Sequence, residues 1–349
     1  MTAVDNKIMF KALRLASKAW GKTSPNPMVG AVIIKKGEIV GEGYHKKAGG
    51  PHAEINAINS VYANFTNAEE VLMNSSMYVT LEPCSTYGRT PPCTEAIIKN
   101  KITKVVIGVL DPNPKHAGAA VKILQGKGID VLSGIEEKKC VKMNEAFFYW
   151  IVNKKPFILL KMAMTLDGKI ATAGGDSKWV TGPIARKRVQ YLRKWADAVL
   201  VGGETARTDR PSLTVRNSDN RILKSWKQPL RLIASNTLQC SDVDFVKEAD
   251  TEIINAGSAN EWNSKLSDLA AKNITSILVE GGGELASSLL EYELINKVEF
   301  HIAPKILSGR NSRPVIGGAD PMSLANSHNL KDVCVKKLGD DISISGYVK

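Results

Sequence analysis

The sequence predicts an α/β protein in two domains. Strand-length apolar runs alternate with helical stretches along most of the chain. At 349 residues, 43% of them hydrophobic, the chain has material for two cores. Asn153-Lys154-Lys155-Pro156 then interrupts the alternation and reads as a linker. The expected domains are 1–152 and 153–349.

Each element has a local reason. Ile8, Met9, Ala12, Leu13, Leu15, Ala16 and Ala19 fall at helical spacing, predicting a helix over 6–20. Ser24-Pro25-Asn26-Pro27 is a loop. Runs 28–34 and 39–44 read as a strand pair around Lys36-Gly37. A helix starts at Pro51-His52, with Ile55, Ala57, Ile58 and Val61 on its apolar side. Strand 76–81 delivers Glu82-Pro83-Cys84. A helix opens at Pro92-Cys93, because proline suits a first turn whose N–H groups have no helical partner. Strand 104–109, helix 117–127, strand 130–132 and helix 135–152 complete a three-layer α/β domain. The second domain shows strands at 157–163, 198–201, 230–234, 251–255 and 276–279. Its helices fit 183–195, 260–272 and 285–291, with strand-like pieces at 299–302 and 342–348.

Composition narrows the function classes. No run of 18 apolar residues exists, so no membrane span is expected. The N-terminus lacks the pattern of a secretory signal. Five scattered cysteines do not make a disulfide framework and suit a reducing, cytoplasmic setting. The net charge of +12 fits a nucleic-acid binder, an enzyme of phosphorylated ligands, or a generic basic protein. Charge alone does not choose among them. Aromatics are only 6% and none interleave with basic runs, as a base-stacking platform would require.

The chemistry concentrates at His52-Ala53-Glu54, Pro83-Cys84 and Pro92-Cys93. One imidazole and two thiolates can hold Zn2+ and leave its fourth position open for a water. Glu54 is then free to act as the general acid/base, as in H-x-E…P-C-x-x-C deaminases. Here eight residues separate the cysteines. Helix starts at His52 and Cys93 favour thiolate over thiol. A structural zinc is the alternative, with His45 as fourth ligand, but it leaves Glu54 without a task. In the second domain, strands run into Gly202-Gly203 and Gly281-Gly282-Gly283. Such strand ends let backbone N–H groups approach an anion, although each alone also reads as a tight turn.

Longer strings carry a family resemblance. Thr80-Leu81-Glu82-Pro83-Cys84-Ser85-Thr86-Tyr87-Gly88-Arg89-Thr90-Pro91-Pro92-Cys93 closely resembles the zinc motif of the bifunctional riboflavin-biosynthesis deaminase/reductases. Ser24-Pro25-Asn26-Pro27-Met28-Val29-Gly30, Ala48-Gly49-Gly50-Pro51-His52-Ala53-Glu54 and Asp111-Pro112-Asn113-Pro114 resemble the same family. So do the strings Leu160 to Lys169 and Asp209 to Arg216 of its reductase. The resemblance implies a cytidine-deaminase-like N-terminal domain and a dihydrofolate-reductase-like C-terminal domain. It implies hydrolytic deamination of a diaminopyrimidinone carrying a phosphoribosylamino group. Reduction of the ribosyl to a ribityl chain by NADPH follows.

Residue by residue, the resemblance implies that His52, Cys84 and Cys93 bind zinc, Glu54 moves protons and Asn26 lines the substrate pocket. It places Ala163, Trp179, Thr205, Asp209, Ser235 and the run Gly282, Gly283, Glu284, Leu285, Ala286, Ser287, Ser288 at the cofactor. Ser177, Arg193, Leu213, Arg216 and Glu280 fall at the reductase substrate, with the two arginines suited to a phosphate. Thr86 stands where many relatives have His, and Lys115-His116-Ala117-Gly118-Ala119-Ala120 departs from the usual glycine-richer continuation. Expected partners are a phosphorylated pyrimidine and further copies of the chain, not nucleic acid or a membrane. Two rival readings remain distinct: a nucleic-acid base deaminase, which needs a basic groove with exposed aromatics, and a zinc-stabilised binding module, which does not need Glu54.

Overall fold

A computed structural model describes residues 2–87, 91–113, 116–243 and 249–349. The chain divides into two compact units, Met1–Asn153 and Lys154–Lys349.

The first unit runs α1 (Ala3–Ala16), β1 (Gly30–Lys35), β2 (Glu38–Tyr44), α2 (Ala53–Asn64), α3 (Ala68–Leu72), β3 (Ser76–Leu81), α4 (Cys93–Lys99), β4 (Lys104–Val109), α5 (Ala119–Gly126), β5 (Asp130–Ser133), α6 (Glu137–Met143) and α7 (Glu145–Asn153). Its sheet has the order β2-β1-β3-β4-β5. β1 is antiparallel to both neighbours, whereas β3, β4 and β5 are parallel. Strand alternation builds the three expected layers. Ala31, Ile33, Met77, Val79, Val105 and Ile107 pack on α2, α3, α4 and α5. Val32, Tyr78 and Val106 face the other way, onto α1 and Cys140 of α6. Gly43 is required where β2 meets α2: a Cβ there would lie 2.2 Å from the Ala57 nitrogen. This close approach seats the helix that begins after His52.

Two sequence expectations change here, for one reason. The helix expected over 135–152 is broken at Asn144, and the strand expected from Met28 starts at Gly30. The buried Asn144 amide accepts from the Met28 N–H (2.8 Å) and donates to the Met28 carbonyl (2.9 Å). A side chain thus takes the backbone groups that a longer strand would have paired. α3 is a further element that the apolar spacing does not announce.

The second unit contains β6 (Phe157–Thr165), β7 (Lys169–Ala171), α8 (Pro183–Trp195), β8 (Ala198–Gly202), α9 (Gly203–Asp209), β9 (Leu230–Ala234), α10 (Cys240–Val243), β10 (Thr251–Ile254), α11 (Ala259–Ala271), β11 (Ser276–Glu280), α12 (Gly283–Glu291), β12 (Lys297–Ala303), β13 (Arg313–Pro314), β14 (Leu330–Leu338) and β15 (Asp341–Val348). The order β10-β9-β8-β11-β6-β12-β15-β14 is parallel through β12 and antiparallel beyond it. Ile158, Leu160, Leu200, Ile277 and Val279 form the core with Trp262, Leu266 and Leu269 of α11 and Leu289 of α12. β14 is silent in the sequence because this edge strand buries none of its side chains fully, so it shows no apolar alternation. Among the described residues, no helix is long and apolar enough to cross a membrane.

Candidate active sites

In the first unit, three chain segments bring polar atoms to one point. His52 is the N-cap of α2 and has extended backbone angles. β3 ends at Leu81 and delivers Cys84 two residues after Glu82. Cys93 is the first residue of α4, with Pro92 as its N-cap. The ligand atoms of His52, Cys84 and Cys93 all lie within 4.8 Å of one another. His52 Nδ1 is 3.4 Å from Cys84 Sγ and 3.3 Å from Cys93 Sγ. A tetrahedral zinc with nitrogen and sulfur ligands needs separations of roughly 3.4–3.8 Å. The donor set and its spacing therefore fit Zn2+.

The ionisable groups of this cluster act strongly on one another. Hydrogen bonding from Cys93, joined by His52 against the effect of burial, pulls the Cys84 thiol down to about 4. The Cys93 N–H also donates to Cys84 Sγ (3.2 Å). Cys93 moves the other way, chiefly because its thiol is hydrogen-bonded to Cys84 and then because it is buried. His52 is pushed up chiefly by its contact with Cys84. Glu54 is 3% exposed, and burial raises its carboxyl despite His52 nearby. A buried carboxyl displaced toward neutrality is suited to taking and giving a proton.

His45 does not join the metal cluster. Its Nδ1 donates to the Pro51 carbonyl (3.1 Å), and its Nε2 accepts from the Asn26 amide (3.2 Å). The structural-zinc alternative thereby loses its fourth ligand. Asn26, predicted as a pocket residue, is tied through His45 to the loop carrying His52. Beside Cys84 lies a cavity of about 190 Å³ lined by Glu82, Pro83, Cys84, Ser85, Thr86, Asp111 and His116. Thr86 and His116, both departures from the family pattern, share it. Lys115 and residues Gly88, Arg89 and Thr90 of the zinc string lie outside the described residues.

In the second unit, the carboxyl ends of the adjacent strands β9, β8 and β11 gather many of the predicted cofactor residues, where open parallel sheets bind ligands. Gly202 is the N-cap of α9 and Gly282 that of α12, so α12 starts two residues earlier than the sequence suggests. Gly281 and Gly282 have φ of 81° and 85°, and a Cβ on Gly282 would sit 3.5 Å from Thr205 Oγ1. A Cβ on Gly203 would sit 2.8 Å from Ser235 Oγ. Glycines with no side chains of their own thus stand at two helix starts beside the Thr205 and Ser235 hydroxyls, which fits a phosphate-bearing cofactor such as NADPH. Within the run to Ser288, Ala286 is core and the Glu284 carboxylate accepts from the Gly318 N–H (3.2 Å). Ala163 lies on β6 opposite His301. Asp209 is exposed, and Trp179 is 64% exposed with Arg186 over its ring.

The predicted substrate residues divide. Arg193 is largely buried, its side chain 13% exposed, and its fork grips Glu280 (2.6 and 2.8 Å), while Nη1 donates to the Thr214 carbonyl (3.0 Å). Arg216 is half-buried and donates to Ser212, Thr214 and Asn220. Ser177 is half-buried and Leu213 is buried with φ 55°. Sequence reasoning missed Lys161, which is buried and flanked in register by Glu280 on β11 and Glu299 on β12. Glu299 is held by Arg188 (2.9 and 2.8 Å) and His301 (2.9 Å). The available signal was a lysine inside an apolar strand, which requires buried counter-charges.

Two such sites on one chain define the class: a zinc-dependent deaminase joined to a nucleotide-dependent reductase. Residues 2–109 match the cytidine and deoxycytidylate deaminase zinc-binding region, and residues 156–344 match the RibD C-terminal domain. The riboflavin biosynthesis protein RibD of Actinobacillus pleuropneumoniae is 39% identical, over 99% of this chain and 96% of that protein. That of Aquifex aeolicus is 40% identical, over 98% of each. Among solved structures, Acinetobacter baumannii RibD superposes with a TM-score of 0.87 at 34% identity, covering 99% of each chain. A Thermotoga maritima diaminohydroxyphosphoribosylaminopyrimidine deaminase/5-amino-6-(5-phosphoribosylamino)uracil reductase gives 0.84 at 33%, again over 99% of each. The chain belongs to the RibD family of bifunctional riboflavin-biosynthesis deaminase/reductases, whose cofactors are zinc and NADPH.

Proposed function

We propose that the first unit hydrolyses the ring amine of 2,5-diamino-6-(5-phosphoribosylamino)pyrimidin-4(3H)-one, and that the second reduces the ribosyl chain of the product to ribityl. The observation that carries this reading is the convergence of His52, Cys84 and Cys93 beside the buried Glu54. His52, Cys84 and Cys93 would hold Zn2+, which would supply the Lewis acidity that makes a water nucleophilic at neutral pH. Glu54 accepts a proton from the water and returns one to the departing amine, so ammonia leaves and a ring carbonyl remains. Asn26, held by His45, orients the pyrimidine.

In the second unit, NADPH supplies the hydride. Gly282, Gly283, Thr205 and Ser235 frame its phosphates, with Ala163, Trp179, Asp209 and the α12 residues Glu284, Leu285, Ala286, Ser287 and Ser288 completing that side. Ser177, Leu213 and Arg216 receive the substrate. Glu280, held rigid by Arg193, fixes its sugar chain. The two activities divide at the linker 153–156, so a fragment ending near Val152 deaminates without NADPH. The chain works in the cytoplasm as a homo-oligomer. Incubation with the phosphoribosylamino-diaminopyrimidinone, with and without NADPH, followed by mass analysis, tests the reading. Deamination alone without NADPH, and deamination with reduction when NADPH is added, is the expected result. Unchanged substrate in both arms contradicts it.

A further inference from the structure

Glu82 lies between β3 and Cys84, and neither metal binding nor proton transfer uses it. It is 6% exposed. Its carboxylate accepts three backbone hydrogen bonds. Oε2 takes the N–H groups of Asp111 and Gly118, and Oε1 takes that of Ala120, each at 3.0 Å. Its own N–H donates to the Val109 carbonyl (2.9 Å), which aims the side chain across β4.

Two of the donors, Gly118 and Ala120, belong to the start of α5. A helix cap would need no more than these. The third, Asp111, lies just after β4, at the opposite end of the connection from α5, so the carboxylate gathers both ends of that connection. The cavity beside Cys84 has two walls: Glu82 to Thr86 on one side, Asp111 and His116 on the other. Asp111 Oδ1 accepts in turn from the Asn113 N–H (2.8 Å), extending the order outward from the clamp.

We propose that Glu82 is a positioning residue for deamination: its carboxylate fastens Asp111 and the start of α5 to the cysteine-bearing turn and so places Asp111 and His116 in the substrate cavity. This rests on reading that cavity as the deaminase substrate site.

The test is Glu82→Gln in the full-length zinc enzyme. Glutamine keeps the size and one acceptor oxygen but puts an NH2 group where backbone N–H groups were received. A lost hydrogen bond to a charged group is felt as about a ten- to hundredfold change. The expected result is a rise of that order in the deaminase KM, with kcat within a few-fold, zinc content unchanged and reduction of supplied deaminated pyrimidine unchanged. Unchanged KM, a fall in kcat alone, or loss of zinc overturns the proposal. If the variant does not fold, hydrogen exchange on the unmodified zinc enzyme decides. The amides of Asp111, Gly118 and Ala120 should be protected to the level of β4, and fast exchange of all three overturns the clamp. Wild-type protein that does not deaminate refutes the functional reading, while the exchange pattern still reports on the clamp itself.

Discussion

Removing the Glu280 carboxylate should cost the second unit more than removing its partner Arg193. Lys161 is buried and Glu280 and Arg193 are largely so, and Glu299 and Arg188 complete the layer. Burial already pushes the Lys161 amine down, and Arg193 adds to that. The layer holds three cations and two carboxylates. Glu280→Ala leaves three cations facing one carboxylate. Arg193→Ala leaves two of each, with Glu280 still beside Lys161 in register. Breaking a buried pair so that a charge is stranded costs about 3–5 kcal/mol. That range should apply to Glu280→Ala, and Arg193→Ala should fall below it. For a domain of this size, about 1 kcal/mol corresponds to roughly 2–4 °C in Tm. The Glu280 variant should therefore melt about 6–20 °C lower in the transition of the second unit, followed by hydrogen exchange of β6 and β11 in the full chain. A larger loss for Arg193→Ala, or losses below about 1 kcal/mol for both, would refute the charge-balance argument.

Glu54→Gln should reduce deamination by about 10² or more while zinc content and reductase turnover persist, since the proposed role of Glu54 is proton transfer and it stands outside the candidate ligand cluster; near-normal deamination would sink that role. Glu299 gives a pH signature. Burial raises its carboxyl, but the hydrogen bonds from Arg188 and His301 and their charges outweigh this and hold it at about 2. Its folded pKa is below the unfolded value of about 4.3, so its contribution, on the order of 3 kcal/mol, is present above that value and lost as pH falls toward 2. Exchange protection of β12 should weaken across that window in the wild type and much less in Glu299→Gln; equal slopes would exclude the pair as its source. Arg216→Ala should raise the reductase substrate KM about ten- to hundredfold and leave the NADPH KM near its starting value. An effect confined to NADPH would move Arg216 to the cofactor.

The His52, Cys84 and Cys93 cluster is legible in the amino-acid sequence because its signals are local. His52 and Cys93 stand at helix starts marked by proline, and Cys84 follows a strand whose apolar run ends at Leu81. Period-2 and helical spacing reveal burial within one element, which is why the alternating layers are readable too. What tertiary structure alone decided is pairing between elements distant in sequence. Lys161 meets Glu280 and Glu299 because the strand order places β6 between β11 and β12, more than a hundred residues away. The same holds for Arg193, which the sequence assigns to the substrate phosphate and which the fold also pairs with Glu280 and Thr214. Asn144 breaks a helix only because Met28 lies across from it, 116 residues earlier. Glu82 finds its three amides only after β3 and β4 are paired. Burial pattern is written along each segment, but a buried polar group is satisfied by whichever partner the assembled sheet brings within hydrogen-bond distance.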